Sequence, residues 1–162
     1  MRKYGVEVQL PKDTKPDEYA GFVQALANHV RLSDRDKELL IVDEQRECAL
    51  LTELIEEYEF EYEPFELLKL PEKAEVTPLF EDYGFVSLSG GCYLYGHLCA
   101  VYRFAESDGL AETAQAVAQM EEHLIARFPY EGSAHYAVDR SLNELMHGIA
   151  KAYGCRLQFV RE

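Results

Sequence analysis

The 162-residue sequence has no tryptophan, three methionines and six prolines, and its 16 lysines and arginines face 30 aspartates and glutamates. Each shortage excludes something. The shortage of bases leaves a net charge of -14. Such a field repels a phosphate backbone, because nucleic-acid affinity rests on neutralising phosphates with Lys and Arg, so direct DNA or RNA binding is not expected. Cys48, Cys92, Cys99 and Cys155 are scattered without a CxxC pair, which leaves no disulfide framework to read. Reduced thiols in a cytoplasm are the expectation. The amino-terminal stretch MRKYGVEVQLPKD has no continuous apolar core of the kind an export signal carries. The longest nearly uncharged run, Val86 to Tyr102, is too short and too rich in Gly, Ser and His to span a bilayer. Walker A, GxGxxG, GxSxG, HExxH and EF-hand patterns are all missing, and no cofactor or metal is expected.

What is present reads as a globular chain long enough for an ordinary core. Tyr4, Val6, Val8 and Leu10 alternate with polar neighbours up to Pro11, the period of a half-buried strand. Pro16 to Arg31 places Tyr19, Phe22, Val23, Leu26 and Val30 at helical spacing. LLIVDE, from Leu39 to Glu44, suits a strand buried on both faces, and Gln45 to Tyr58 returns to helical spacing through Cys48, Leu51, Leu54 and Ile55. EFEYEPFELL alternates again, and Pro64 together with the outward glutamates predicts an edge strand. Leu70 to Asp82, with Pro71 and Pro78, reads as a linker. Further on, Leu110, Ala114, Val117, Leu124 and Phe128 predict one long helix capped at Ser107 or Asp108 and closed by Pro129. Ser133 to Tyr153 predicts a second, with Val138, Leu142, Leu145 and Ile149 inward and Gly154 as its C-cap. CRLQFV ends the chain as a strand. The expectation is an α+β fold, a mixed or antiparallel sheet of about six strands with four helices packed on it. Its element order is β-α-β-α-β-β-β-α-α-β, in a single domain over residues 1–162 with an internal division near 70–82.

Two regions carry candidate chemistry. SLSGGCYLYGHLC brings together Cys92, Tyr93, Tyr95, His97 and Cys99 as a candidate pocket. A helix would separate the two cysteines by about 10 Å along its axis, and a single strand would put Cys92 on the face opposite His97 and Cys99. A hairpin loop at Tyr95-Gly96 would set Cys92 across from Cys99 with His97 beside them. A loop at Gly90-Gly91, where both glycines accept positive φ, predicts instead a strand from Cys92 to Phe104 with core cysteines and Gly96 as a bulge. A Cys-His hydrolase would need Cys92 at a helix N-terminus with His135 or His147 nearby.

The second region is acidic. From Asp43 to Glu66 ten carboxylates face Arg46 alone. Glu59, Glu61 and Glu63 predict an outward row about 6.6 Å apart on a strand, continued by Glu53, Glu56 and Glu57 on the preceding helix and closed by Glu66. Such a row either steers a basic partner or is a solvated edge that prevents aggregation. The expected function is therefore a cytoplasmic, non-enzymatic binding or regulatory protein of inhibitor, immunity or anti-defence type. It would engage a basic protein through those seven glutamates, with no nucleic acid and no membrane. The alternative is a small-ligand-binding protein or a thiol- or metal-dependent enzyme that uses the Cys92 to Cys99 region.

Overall fold

The computed structural model describes residues 1–162 except Asp108 and Leu110, so the predicted cap at Asp108 and the inward place of Leu110 lie outside the described residues. In chain order the strands are β1 (Arg2–Gln9), β2 (Asp34–Asp36), β3 (Leu39–Val42), β4 (Glu61–Lys69), β5 (Glu75–Val76), β6 (Gly84–Val86), β7 (Cys92–Tyr95), β8 (Cys99–Phe104), β9 (Leu124–Tyr130), β10 (Ser133–Asp139) and β11 (Leu157–Arg161). The helices are α1 (Pro16–Ala27), α2 (Gln45–Glu57), α3 (Phe80–Tyr83), α4 (Thr113–Met120) and α5 (Asn143–Ala152). The strands form a six-stranded sheet in the order β2-β3-β1-β4-β7-β6 and a five-stranded sheet in the order β11-β8-β10-β9-β5, with antiparallel pairing. The α+β class expected from the sequence holds. The chain divides into two units, one made of Met1–Lys69 and Val86–Tyr93, the other of Leu70–Phe85 and Leu94–Glu162.

In the first unit the even residues of β1 meet two helices. Val6, Val8, Leu40 and Val42 pack against Phe22 and Leu26 of α1 and Leu51 and Ile55 of α2, all nearly inaccessible to solvent. Register then assigns the other face. Asp34 lies opposite Ile41, Ile41 opposite Gly5 and Gly5 opposite Phe65, so these four share a side. That side is crowded, since a Cβ on Gly5 would come within 2.8 Å of Leu67 and 3.0 Å of Leu39. The sheet also curls. Asp34 on β2 and Tyr93 on β7 are four strand steps apart, about 19 Å in a flat sheet, yet the Tyr93 hydroxyl is 2.9 Å from Asp34 Oδ2. Leu88 N–H donates to Arg35 C=O at 2.9 Å. The sheet of this unit rolls until its first strand meets the turn before β7.

α2 ends in a Schellman motif, with Phe60 N–H donating to Ile55 C=O at 3.3 Å and Glu59 N–H to Glu56 C=O at 3.0 Å. Glu59 takes φ 59° there, the left-handed region where glycine is the usual occupant. The gain is aromatic: the motif turns Phe60 back onto Phe22, ring centroids 5.1 Å apart and nearly perpendicular. α5 ends the same way with Gly154 at φ 70° and Cys155 N–H donating to Ala150 C=O at 2.8 Å, as its sequence predicts.

The second unit departs further from the sequence pattern. The predicted long helix stops at Met120, and Leu124 and Phe128 belong to β9. The predicted second helix begins only at Asn143, because Ser133–Asp139 is β10. A two-residue turn at Glu131 (φ 47°) and Gly132 (φ 80°) joins them, the type I′ geometry that matches strand twist. Tyr102 and Tyr136, Ala100 and Val138 face Ala116 and Met120 of α4 and Met146 and Ala150 of α5, whereas Ala114 and Leu145, predicted inward, are exposed. The predicted linker is also structured. Its β5 pairs with Arg127 and Ala126 of β9, and Thr77 Oγ1 donates to Leu124 C=O at 2.6 Å. No helix among the described residues is long and apolar enough to cross a membrane.

Candidate functional site

Alternation on β4 decides where its carboxylates go. Tyr62 pairs with Val8, joins the helical side and donates its hydroxyl to Glu56 at 2.6 Å. Glu61 and Glu63 therefore project from the opposite face, and Glu63 stands directly across from Glu7 of β1. Glu53, Glu56 and Glu57 are exposed on α2, Glu59 is exposed at the motif that ends it, and Glu61 and Glu63 are exposed on the strand. The single ladder expected from the sequence is thus two banks on the two faces of the sheet with Glu59 between them. Among the described residues none of these six carboxylates forms an ion pair. Glu66 does, at 2.9 Å from Arg2 Nε. β4 lies between β1 and β7 rather than at the end of the sheet, where its sequence predicts it, but the four residues of β7 are too few to cover all nine of β4. Glu7 joins the bank without a sequence signal of its own, because only the β1–β4 register brings it to Glu63.

The predicted pocket residues divide between two sheets. A turn closed by Leu98 N–H to Tyr95 C=O at 3.1 Å breaks the expected Cys92 to Phe104 strand, leaving Cys92, Tyr93 and Tyr95 on β7 and Cys99 on β8. The Tyr95-Gly96 hairpin that would have set Cys92 opposite Cys99 therefore does not form, whereas the turn at Gly90-Gly91 joins the neighbouring strands β6 and β7. Cys92 opens a strand rather than a helix, which removes the dipole a Cys-His hydrolase would need. Cys99 is buried, and that burial, with the Asp139 charge adding to it, pushes its thiol up to about 12. His97 is exposed in the turn, and the Tyr95 ring lies tilted against it and against Phe85, with centroids 6.1 and 5.5 Å apart. Among the described residues no group of three or more His, Cys, Asp and Glu side chains is placed to hold a metal ion. All four cysteines are free.

Tyr93 belongs to a different constellation. Asp34 Oδ2 accepts from Ser87 Oγ at 2.5 Å, Ser89 Oγ at 2.7 Å and Tyr93 Oη at 2.9 Å, while Oδ1 accepts the Arg35 N–H at 2.8 Å. Ser87 Oγ in turn accepts the Gly91 N–H at 3.0 Å. Burial opposes ionisation of Asp34, but the four hydrogen bonds outweigh it and hold the carboxyl below its ordinary range. Burial first, and the same carboxylate second, raise the Tyr93 phenol well above its usual value. Gly91 is closely surrounded: a Cβ there would be 3.0 Å from the Tyr93 ring, 3.2 Å from Ser87 Oγ and 3.3 Å from Asp34 Oδ2. Gly90 supplies the left-handed turn residue at φ 86°. An acceptor saturated by fixed donors is a clasp, and a shallow hollow of about 320 Å³ bounded by Leu32, Asp34, Leu88 and Ser89 lies beside it. The only sequence hint of this clasp is the pair of serines before Gly-Gly; nothing in SDRD identifies its carboxylate.

Compared with protein-family models, with curated proteins and with solved structures, the chain matches none.

Proposed function

We propose that this chain is a non-enzymatic, cytoplasmic binding or regulatory protein, of inhibitor, immunity or anti-defence type, which engages a basic protein partner through the carboxylates of α2 and β4. One observation carries the reading. Glu53, Glu56, Glu57, Glu59, Glu61 and Glu63 are exposed and without ion pairs among the described residues, and Glu63 faces another carboxylate, Glu7. Like charges directly opposite each other on a sheet cost stability, and a partner's Lys or Arg removes that cost on binding. Glu66, already paired with Arg2, contributes at the margin. The four free thiols support a reducing compartment.

The test is affinity capture from native extract with the wild type beside a Glu59→Gln, Glu61→Gln, Glu63→Gln variant. Captured proteins are then purified and their association rates measured against salt. A basic protein bound by the wild type, lost by the variant and steeply salt-dependent in its association rate supports the reading. A partner bound equally by both proteins moves the interface elsewhere.

A further inference from the structure

α2 carries more apolar surface than it buries. Leu51 and Ile55 face the core, yet Leu50 is 36% exposed and Tyr58, at the end of the helix, 47% exposed, with half-buried Leu54 between them. The spacing of four puts these three on one flank, a stripe about 12 Å long beside the core-facing one. Tyr58 rests nearly perpendicular to Phe22, ring centroids 4.9 Å apart, and the rest of its surface meets solvent. The charge around the stripe is all of one sign at this end. Glu53 and Glu57, three and seven residues after Leu50, border it and are exposed, without ion pairs among the described residues. Arg46, one turn before Leu50, is the one base of the helix. The last turn holds Glu56 and Glu57 and no base, with Glu59 just beyond, although the negative end of a helix dipole favours cations. A bound cation would relieve that mismatch.

Resting on the reading that the partner is basic, we propose that Leu50, Leu54 and Tyr58 are its docking stripe and that the occupant is a basic amphipathic helix of that partner. It lies along α2, its apolar residues on the stripe and its arginines over Tyr58 and against Glu53 and Glu57. Ridges of residues four apart on two helices interdigitate, and a guanidinium over a tyrosine face adds a cation–π contact to the ion pairs. A second copy of a chain at -14, an anionic bilayer or a phosphate backbone would each bring more negative charge to the same carboxylates. Glu61 and Glu63 project from the opposite face of the sheet and cannot touch this helix, so they act at range by speeding encounter. The two banks therefore differ in role: β4 sets how fast the partner arrives, and the α2 stripe how long it stays.

Two peptides of about 15 residues with the same leucine, arginine and alanine composition are the probes. One has its leucines at helical spacing; the other is scrambled so that no apolar face forms. Association and dissociation rates are measured on the full chain. The amphipathic peptide should bind at least about tenfold tighter than the scrambled one. Leu50→Gln and Tyr58→Gln should each raise its dissociation rate several-fold and leave association unchanged, whereas Glu61→Gln with Glu63→Gln should slow association alone. Tyr58 touches Phe22, so Leu50→Gln, at an exposed helical position, is the variant expected to keep the wild-type urea midpoint. Equal binding of the two peptides, or a dissociation rate that Leu50→Gln does not change, would overturn the docking stripe and leave the basic partner standing. Binding of neither peptide would overturn both. Self-association of the chain in analytical ultracentrifugation, abolished by Leu50→Gln, would give the stripe to a second copy and overturn the assignment too.

Discussion

Three hydroxyls converge on one oxygen of Asp34, and the space for them exists because residue 91 has no side chain. Gly91→Ala is therefore expected to lower stability by about 1–3 kcal/mol, the usual range for overpacking a fitted site. Tyr93→Phe is expected to lose about 1.5–3 kcal/mol through one hydrogen bond to a charged acceptor. Tyr102 provides the contrast. Its hydroxyl is more deeply buried but among the described residues has only the sulfurs of Met120 and Met146 at 3.1 and 3.7 Å, which are weak acceptors, so Tyr102→Phe should change stability by less than about 1 kcal/mol. Urea unfolding of the three variants gives the order directly; a Tyr102→Phe loss larger than that of Tyr93→Phe would reverse it.

At the level of elements, two helices end in the same motif with different residues at the left-handed position, Gly154 in one and Glu59 in the other. Glu59→Gly should raise stability by about 0.5–1 kcal/mol by relieving that conformation. Gly132→Ala, at φ 80° in the β9–β10 turn, should lower it by about 1–2 kcal/mol; thermal unfolding of both variants tests the pair of signs. These motifs also mark what the sequence makes legible. β1, α1, β3 and α2 follow from clean periods of two or 3.6, and Gly154 marks its own cap. β9 and β10 do not, because Leu124 and Phe128 recur at the helical interval of four, and a bulge between Ala137 and Val138 breaks the alternation that would have exposed a strand. Glu131-Gly132 is a less conspicuous turn signal than Asn-Gly or Asp-Gly. The exposure of the acidic residues could be read from composition, but their division between two faces depends on which side of β4 carries α2. The clasp joins residues 53 to 59 positions apart, a distance no local pattern reports.

For the whole molecule, pH acts from both ends. Asp34, Asp43 and Asp139 have carboxyls held below their ordinary 3.8. Their stabilisation is complete above the unfolded value and lost as pH falls through the folded one. The urea midpoint should therefore hold from pH 7 to 5 and fall only below about 4, as these three carboxyls protonate. Asp34→Asn should flatten that acid limb. At the alkaline end, burial first and neighbouring charges second push Tyr19 up to about 12, and the Asp139 hydrogen bond first and burial second do the same to Tyr83. Raised groups stabilise fully below their unfolded values, 10.0 for tyrosine and 9.0 for the Cys99 thiol, and lose that contribution toward about 12. The midpoint should decline from about pH 9 upward, and a flat profile between pH 9 and 12 would contradict these placements.

The clasp at Asp34 also has a temporal consequence. Closing it requires the chain to return from residues 87–93 to residue 34 across an intervening stretch that contributes to the other unit, and such long loops are closed after local helices and hairpins have formed. Contacts made that late are absent from the transition state, so weakening them accelerates unfolding and leaves the folding rate almost untouched. In stopped-flow experiments Tyr93→Phe should raise the rates on the unfolding limb alone, with the folding limb unchanged. What three hydroxyls and one carboxylate set is the lifetime of the rolled sheet once it has closed.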